Sequence, residues 1–157
     1  MHPSRAILAR ALSATVVAGV FAAPHLVRGQ SMPTVRNCMI VTMTSLRNAH
    51  GLVRMGIYDD PHRWPQPEGA LQSCVARIEG NSASCGFEPL RPGTDYAVAA
   101  SHDENNNGRF DQNVVGAPLE GFGFTNDATP MLAPPSWDDS KVRFTGGIAR
   151  QIIHAQY

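Results

Sequence analysis

The residues whose types and spacing could do chemistry stand in one run, His102-Asp103-Glu104-Asn105-Asn106-Asn107-Gly108-Arg109-Phe110-Asp111. Oxygen-bearing side chains alternate, a glycine follows, then a second aspartate. In a calcium-loop frame Asp103, Asn105 and Asn107 take positions 1, 3 and 5. Gly108 makes the sharp turn at 6, Arg109 offers its carbonyl at 7 and Asp111 falls at 9. Hard oxygens on a tight backbone suit Ca²⁺, the cofactor this pattern points to. Position 12, where a bidentate Glu is usual, is Val114. The two remaining formal charges place the affinity near ~10⁻⁴–10⁻³ M, the range of extracellular modules, unless another acid donates. Glu104, Glu120, Asp59 and Asp138 are the acids that could. A competing explanation needs no ion, because Asp and Asn also close local turns on their own backbone.

Other chemistries have thinner support. His102 ends a strand-like run beside Asp103, and with Glu104, Asp111 and Glu120 it frames a hydrolase-type reading, since two carboxylates suffice for glycoside hydrolysis. Acids this close in sequence are more often a solvated loop, and a strand-end histidine is more often satisfied by its neighbours. No two histidines stand at H-x-H or H-E-x-x-H spacing. There is no G-x-S-x-G elbow and no Walker loop. Gly121-Phe122-Gly123 lacks the helix that a dinucleotide site needs, so it reads as turning room beside aromatic anchors. Trp64, Phe122, Phe124 and Trp137 would make a sugar- or peptide-binding platform if exposed, but aromatics in a small sandwich are more often core. Phe124 is assigned to the core and Trp64 is left open.

The elements that must position this loop have a period of two rather than 3.6. Cys38 to Thr44 and Leu52 to Tyr58 read as strands, the second with Val53, Met55 and Ile57 on one face. Leu71 to Glu79 and Ser82 to Phe87 flank Gly80-Asn81, a hairpin-type pair. Tyr96 to His102 alternates again, and Lys141 to Phe144 and Arg150 to Tyr157 complete about seven strands. Ser136-Trp137-Asp138-Asp139 has capping-box spacing for one helical turn. Asp103 to Pro135 carries no convincing element, although loops longer than about 12–15 residues are uncommon in compact domains. Phe110, Val114, Val115, Leu119, Phe122, Phe124, Met131 and Leu132 are read as its apolar anchors, which makes it an ordered loop over one end of the sandwich.

Composition bounds the setting. Residues 1–29 read as a signal peptide, with Arg5 and Arg10 ahead of the uncharged apolar run Ala11 to Ala23 and small residues after it. That leaves 30–157 as one domain, with no transmembrane anchor after cleavage and a periplasmic or secreted location. The full chain has 13 basic and 13 acidic residues. Removing 1–29 takes away three arginines and no acid, leaving 10 basic against 13 acidic. A mildly acidic chain without clustered Lys and Arg disfavours nucleic acid. Three cysteines in an oxidising compartment permit one disulfide. Cys74–Cys85 is the first pairing, across the expected hairpin, with Cys38–Cys85 as the alternative. No C-x-x-C is present, so a zinc knuckle or dithiol is unsupported.

Four segments carry a resemblance. Leu90-Arg91-Pro92-Gly93-Thr94-Asp95-Tyr96-Ala97-Val98 resembles L-x-P-G-x-Y-A-V with one extra residue, and His102 to Gly108 resembles H-D-E-N-x-N-G. Gly116 to Asn126 resembles G-x-P-x-E-x-Y-G-F-S-N, and Pro134 to Asp139 resembles P-P-S-F-x-D-A. Phe122 replaces a usual tyrosine and Ser140 a usual alanine. The chain from Cys38 to Tyr157 is thereby similar to the bacterial domain of unknown function 2141. The resemblance implies an exported protein with a prealbumin-like sandwich and no established activity.

The expected protein is all-β, a single prealbumin-like or immunoglobulin-like β-sandwich with one long ordered loop. Its expected function is that of an exported non-catalytic module. The loop, ordered by Ca²⁺ or by its own hydrogen bonds, would present a binding surface to an unidentified protein or saccharide partner in the envelope. The hydrolase-type enzyme is one alternative. A small-ligand carrier with an apolar cavity between the sheets is the other.

Overall fold

A computed structural model describes residues 36–157. The proposed signal peptide at 1–29 lies outside the described residues. Eight strands form two sheets: β1 (Cys38–Thr44), β2 (Leu52–Tyr58), β3 (Gln72–Ala76), β4 (Ala83–Phe87), β5 (Thr94–Asp103), β6 (Gly121–Phe124), β7 (Val142–Phe144) and β8 (Ile148–His154). The smaller sheet runs β4-β1-β8. The larger runs β3-β2-β5-β6, with β7 paired to the start of β5. All ladders are antiparallel except β1 with β8, which is parallel.

Alternation dictates the core. Met39, Val41 and Met43 of β1, Val53, Met55 and Ile57 of β2, and Tyr96, Val98 and Ala100 of β5 are buried between the sheets. Phe87, Phe144 and Ile153 fill the space around them. The opposite positions of β2 and β5 put Arg54, Gly56, Ala99 and Ser101 on the outer face of the larger sheet, where the register pairs Arg54 with Ser101 and Gly56 with Ala99.

Both open sides of the sandwich are tied. The chain does turn at Gly80-Asn81, where Glu79 and Ser82 form an isolated bridge. The flanking strands are nevertheless not a hairpin within one sheet: β3 joins β2, whereas β4 joins β1. The Cys74–Cys85 disulfide therefore bolts an edge of one sheet to an edge of the other, and Cys38 is a buried free thiol. On the other side the chain leaves β8 and pairs Gln156 with Phe122 of β6, through bonds of 2.9 and 2.8 Å.

Strand β6 lies inside the segment read from sequence as having no element, because glycine is poor in strands. Here the glycines make room. A side chain at Gly121 would come within 2.7 Å of the Tyr157 ring, and one at Gly123 would collide with Ile153 Cγ2. The helical turn at Trp137–Ser140 forms as its capping residues predict, with the Ser136 hydroxyl accepting from Asp139 N at 3.2 Å.

A second, smaller core covers part of the outer face of the larger sheet. Tyr58, Trp64, Ala97, Phe124 and Ala128 are its buried members. Trp64 sits at its centre, 5.1 Å from Tyr58, 5.8 Å from Phe124 and 6.1 Å from Trp137 by ring centroid, and its indole N–H donates to Pro135 O. Trp64 is thus core rather than an exposed platform. Most of the expected loop anchors are not anchors. Val114, Val115, Leu119, Met131 and Leu132 are exposed, Phe110 is 40% exposed, and only Phe124 is buried. Local turns and polar bonds hold 111–119 instead.

Candidate functional site

The motif loop begins where β5 ends. Asp103 is the last residue of β5, on its outer face, and its carboxylate is fully buried. Three donors converge on it: Asn107 N at 3.0 Å, Gly108 N at 2.9 Å and Arg54 Nε at 2.6 Å. Burial pushes the Asp103 carboxyl up, but the Arg54 guanidinium and the two N–H groups outweigh it and hold the carboxyl below its usual range. Arg54 also reaches Asn106 Oδ1 at 3.1 Å.

The rest of the loop closes on itself. Asn105 Oδ1 accepts from Asn107 N, and Asn107 Oδ1 accepts from Arg109 N. Both side-chain amides donate to Asp111 Oδ2, at 2.7 and 2.8 Å. Glu120, 4% exposed, accepts from Glu104 N and Asp111 N and so staples the loop's start to its far side. Glu104 turns away from the motif, onto Asn48 Nδ2 and Arg47 at 2.6 Å each. Burial raises its carboxyl, and Asn48 and Arg47 lower it further than burial raises it.

Asp103, Asn105, Asn107 and Asp111 are therefore brought into one hydrogen-bonded knot, with Arg109 contributing its backbone. Of the four acids that could join it, Glu120 is brought to the knot, whereas the Glu104, Asp59 and Asp138 carboxylates are not. Asp59 pairs with Arg91 and Asp138 with Lys141. Among the described residues no three His, Cys, Asp or Glu side chains converge on a point that could hold a metal ion. His102 faces inward, fully buried, with Nε2 2.8 Å from His50 O and Nδ1 2.8 Å from the Tyr157 hydroxyl. The carbonyl can only accept, so Nε2 carries a proton, and in the neutral ring the tyrosine donates to Nδ1. Arg47 N donates to the same hydroxyl and the Arg47 guanidinium lies 4.4 Å above the Tyr157 ring. Both nitrogens of His102 are thus occupied by an internal strut.

Beside the knot lies a feature that the sequence did not reveal. A cleft of about 490 Å³ opens on the outer face of the larger sheet. Its floor is small: Gly56, Ser73, Ala99 and Ser101. Arg54, Gly108 and Arg109 bring the knot to one rim. The aromatic row from the second core continues along it, Phe124 to Phe122 and Phe122 to Phe110, each 6.1 Å apart. The cavity is on an outer face, not between the sheets. Thr125 was also missed. Fully buried, it accepts from Val98 N and donates to Ser140 O, fixing the end of β6 against β5 and the helical turn.

Fold and site together define a small two-sheet β-sandwich with a self-bonded polar loop framing an aromatic-walled groove. The chain belongs to the bacterial family described as uncharacterized protein conserved in bacteria (DUF2141), which matches residues 41–151. No curated protein and no solved structure matches it.

Proposed function

We propose that this chain is an exported, non-catalytic binding module, and that the groove on the outer face of the larger sheet is its binding surface. The observation that carries this reading is the groove itself. Its volume falls within the roughly 300–1,000 Å³ of small-molecule sites, and an apolar lining with a few placed polar groups is typical of such sites. The knot at 103–120 supplies a rigid rim. Export to the periplasm or beyond, after removal of 1–29, accords with the disulfide, since such bonds persist in oxidising compartments. Among the described residues no helix is long and apolar enough to cross a membrane. The test is a screen of small apolar fragments against isotope-labelled protein, read by backbone amide shifts. Shifts gathered at Gly56, Ala99, Ser101 and Phe122 support the groove; shifts gathered elsewhere refute it.

A second reading keeps the cation. Asp103, Asn105 and Asn107 each hold a side-chain oxygen on one turn, accepting a backbone N–H and retaining a lone pair. The Arg109 carbonyl and Asp111 would have to complete the oxygen set for Ca²⁺, Asp111 giving up its bonds from the Asn105 and Asn107 amides. Arg54 already compensates Asp103, so this site would be weak, at about 10⁻⁴–10⁻³ M. Calorimetric titration of Ca²⁺ into chelator-treated protein tests it. Silence through several times that range removes the ion.

A further inference from the structure

We propose that the groove takes an organic anion: a ring-bearing apolar body with one carboxylate or sulfonate head. This rests on the groove being the binding surface and names what it prefers. The chain carries 13 acidic residues, yet none lines the groove, whereas two arginines do. The two are not equivalent. Arg54 is committed to Asp103 and Asn106. Arg109 is exposed, and among the described residues its guanidinium has no ion pair and no hydrogen bond. Only its backbone is used, by Asn107 Oδ1 and within the knot.

An arginine held by its backbone at a cavity rim, with its planar fork unspent, is suited to a carboxylate or sulfonate. The body of the ligand is specified by the walls. Phe110 packs edge-on against Phe122 at 83° and is still 40% exposed, so the aromatic row ends on an unfilled face. The floor beneath is made of glycine, alanine and serine, which leaves depth for a flat ring. Phe110 and Arg109 are sequence neighbours, so the stacking face and the charge arrive together. A ring packed against such a face has its own attraction beyond area burial.

The experiment titrates the exported protein, disulfide intact, with 2-naphthoate and with 2-naphthalenemethanol, the neutral counterpart of the same shape. Backbone amide shifts give both location and affinity. The expected result is shifts at Ala99, Ser101 and Phe122 with both probes, and naphthoate bound about ten-fold tighter, the worth of one charge-assisted contact. Arg109→Gln brings that ratio toward one, and Arg109→Lys retains part of it. Equal affinities in the parent protein, or an unchanged ratio in Arg109→Gln, overturn the anion assignment while the groove stands. Absence of groove shifts with either probe overturns the groove reading as well.

Discussion

Breaking the Arg54–Asp103 pair should destabilise the whole outer-face knot, and the cost can be worked from its surroundings. The Asp103 carboxylate is 0% exposed and the Arg54 side chain 32%. Removing one member of a fully buried pair costs about 3–5 kcal/mol because the other charge is left uncompensated. Solvent reaches a third of Arg54, so Arg54→Met and Asp103→Asn should each cost about 2–4 kcal/mol. Asp103→Asn also turns an amide N–H₂ toward donors that now find one acceptor oxygen. The double variant has no stranded charge and should cost about 1.5–3 kcal/mol less than the two singles summed. Urea denaturation followed by far-ultraviolet circular dichroism gives all four stabilities. A 3 kcal/mol loss in a domain of this size lowers Tm by roughly 10 °C. A coupling below about 0.5 kcal/mol would refute the claim that this pair anchors the loop. Ca²⁺ that rescues Arg54→Met but not the parent would show a cation taking the place of the guanidinium.

Three further outcomes follow from the same geometry. Replacing Cys74 and Cys85 by serine opens a loop closed over 11 residues, and chain entropy sets the cost at about 2.5–3 kcal/mol, measurable as a lowered urea midpoint against the reduced and oxidised parent. Gly123→Ala forces a methyl into Ile153 and toward His154 O, and should cost about 1–3 kcal/mol by the same assay, whereas Gly86→Ala, with open space above it, should cost little. Asp103, Glu104 and Asp127 all have carboxyls held below their ordinary values, so they bind protons more readily unfolded than folded. Their stabilisation is full above the unfolded values near ~4 and is lost as pH falls through the lowered folded ones, so Tm should drop on acidification below about pH 4, less steeply in Asp103→Asn.

Much of the sandwich was legible because alternation is local. Val53, Met55 and Ile57, or Tyr96, Val98 and Ala100, declare a buried face without any knowledge of partners. What alternation cannot declare is which sheet a strand joins. Cys74 and Ala76 on β3, with Ala83, Cys85 and Phe87 on β4, show the same pattern in a hairpin as in two strands parting into opposite sheets. The disulfide pairing was readable, its inter-sheet role was not. Strand β6 was hidden by Gly121 and Gly123, whose justification lies in Tyr157 and Ile153, some thirty residues on.

The motif at 102–111 was visible as a chemical pattern, and its Asx-type bonds formed as short polar side chains predict. Its charge partner was not, since Arg54 lies 49 positions earlier. The available signal was an arginine on the outer face of an alternating strand, at a position that asks for a counter-ion. The groove was invisible for a plainer reason. Gly56, Ser73, Ala99 and Ser101 are unremarkable singly, and only the register of three strands makes them a floor.

The central claim is that this floor is where a ligand lies. Ser101 faces the groove, between Arg54 of β2 and Phe122 of β6. Ser101→Trp would fill the groove without entering the inter-sheet core, so the most direct measurement compares 2-naphthoate binding by the parent and by this variant, with melting recorded alongside. A variant that melts like the parent and no longer binds is the predicted result. A variant that melts like the parent and binds naphthoate unchanged would contradict the account.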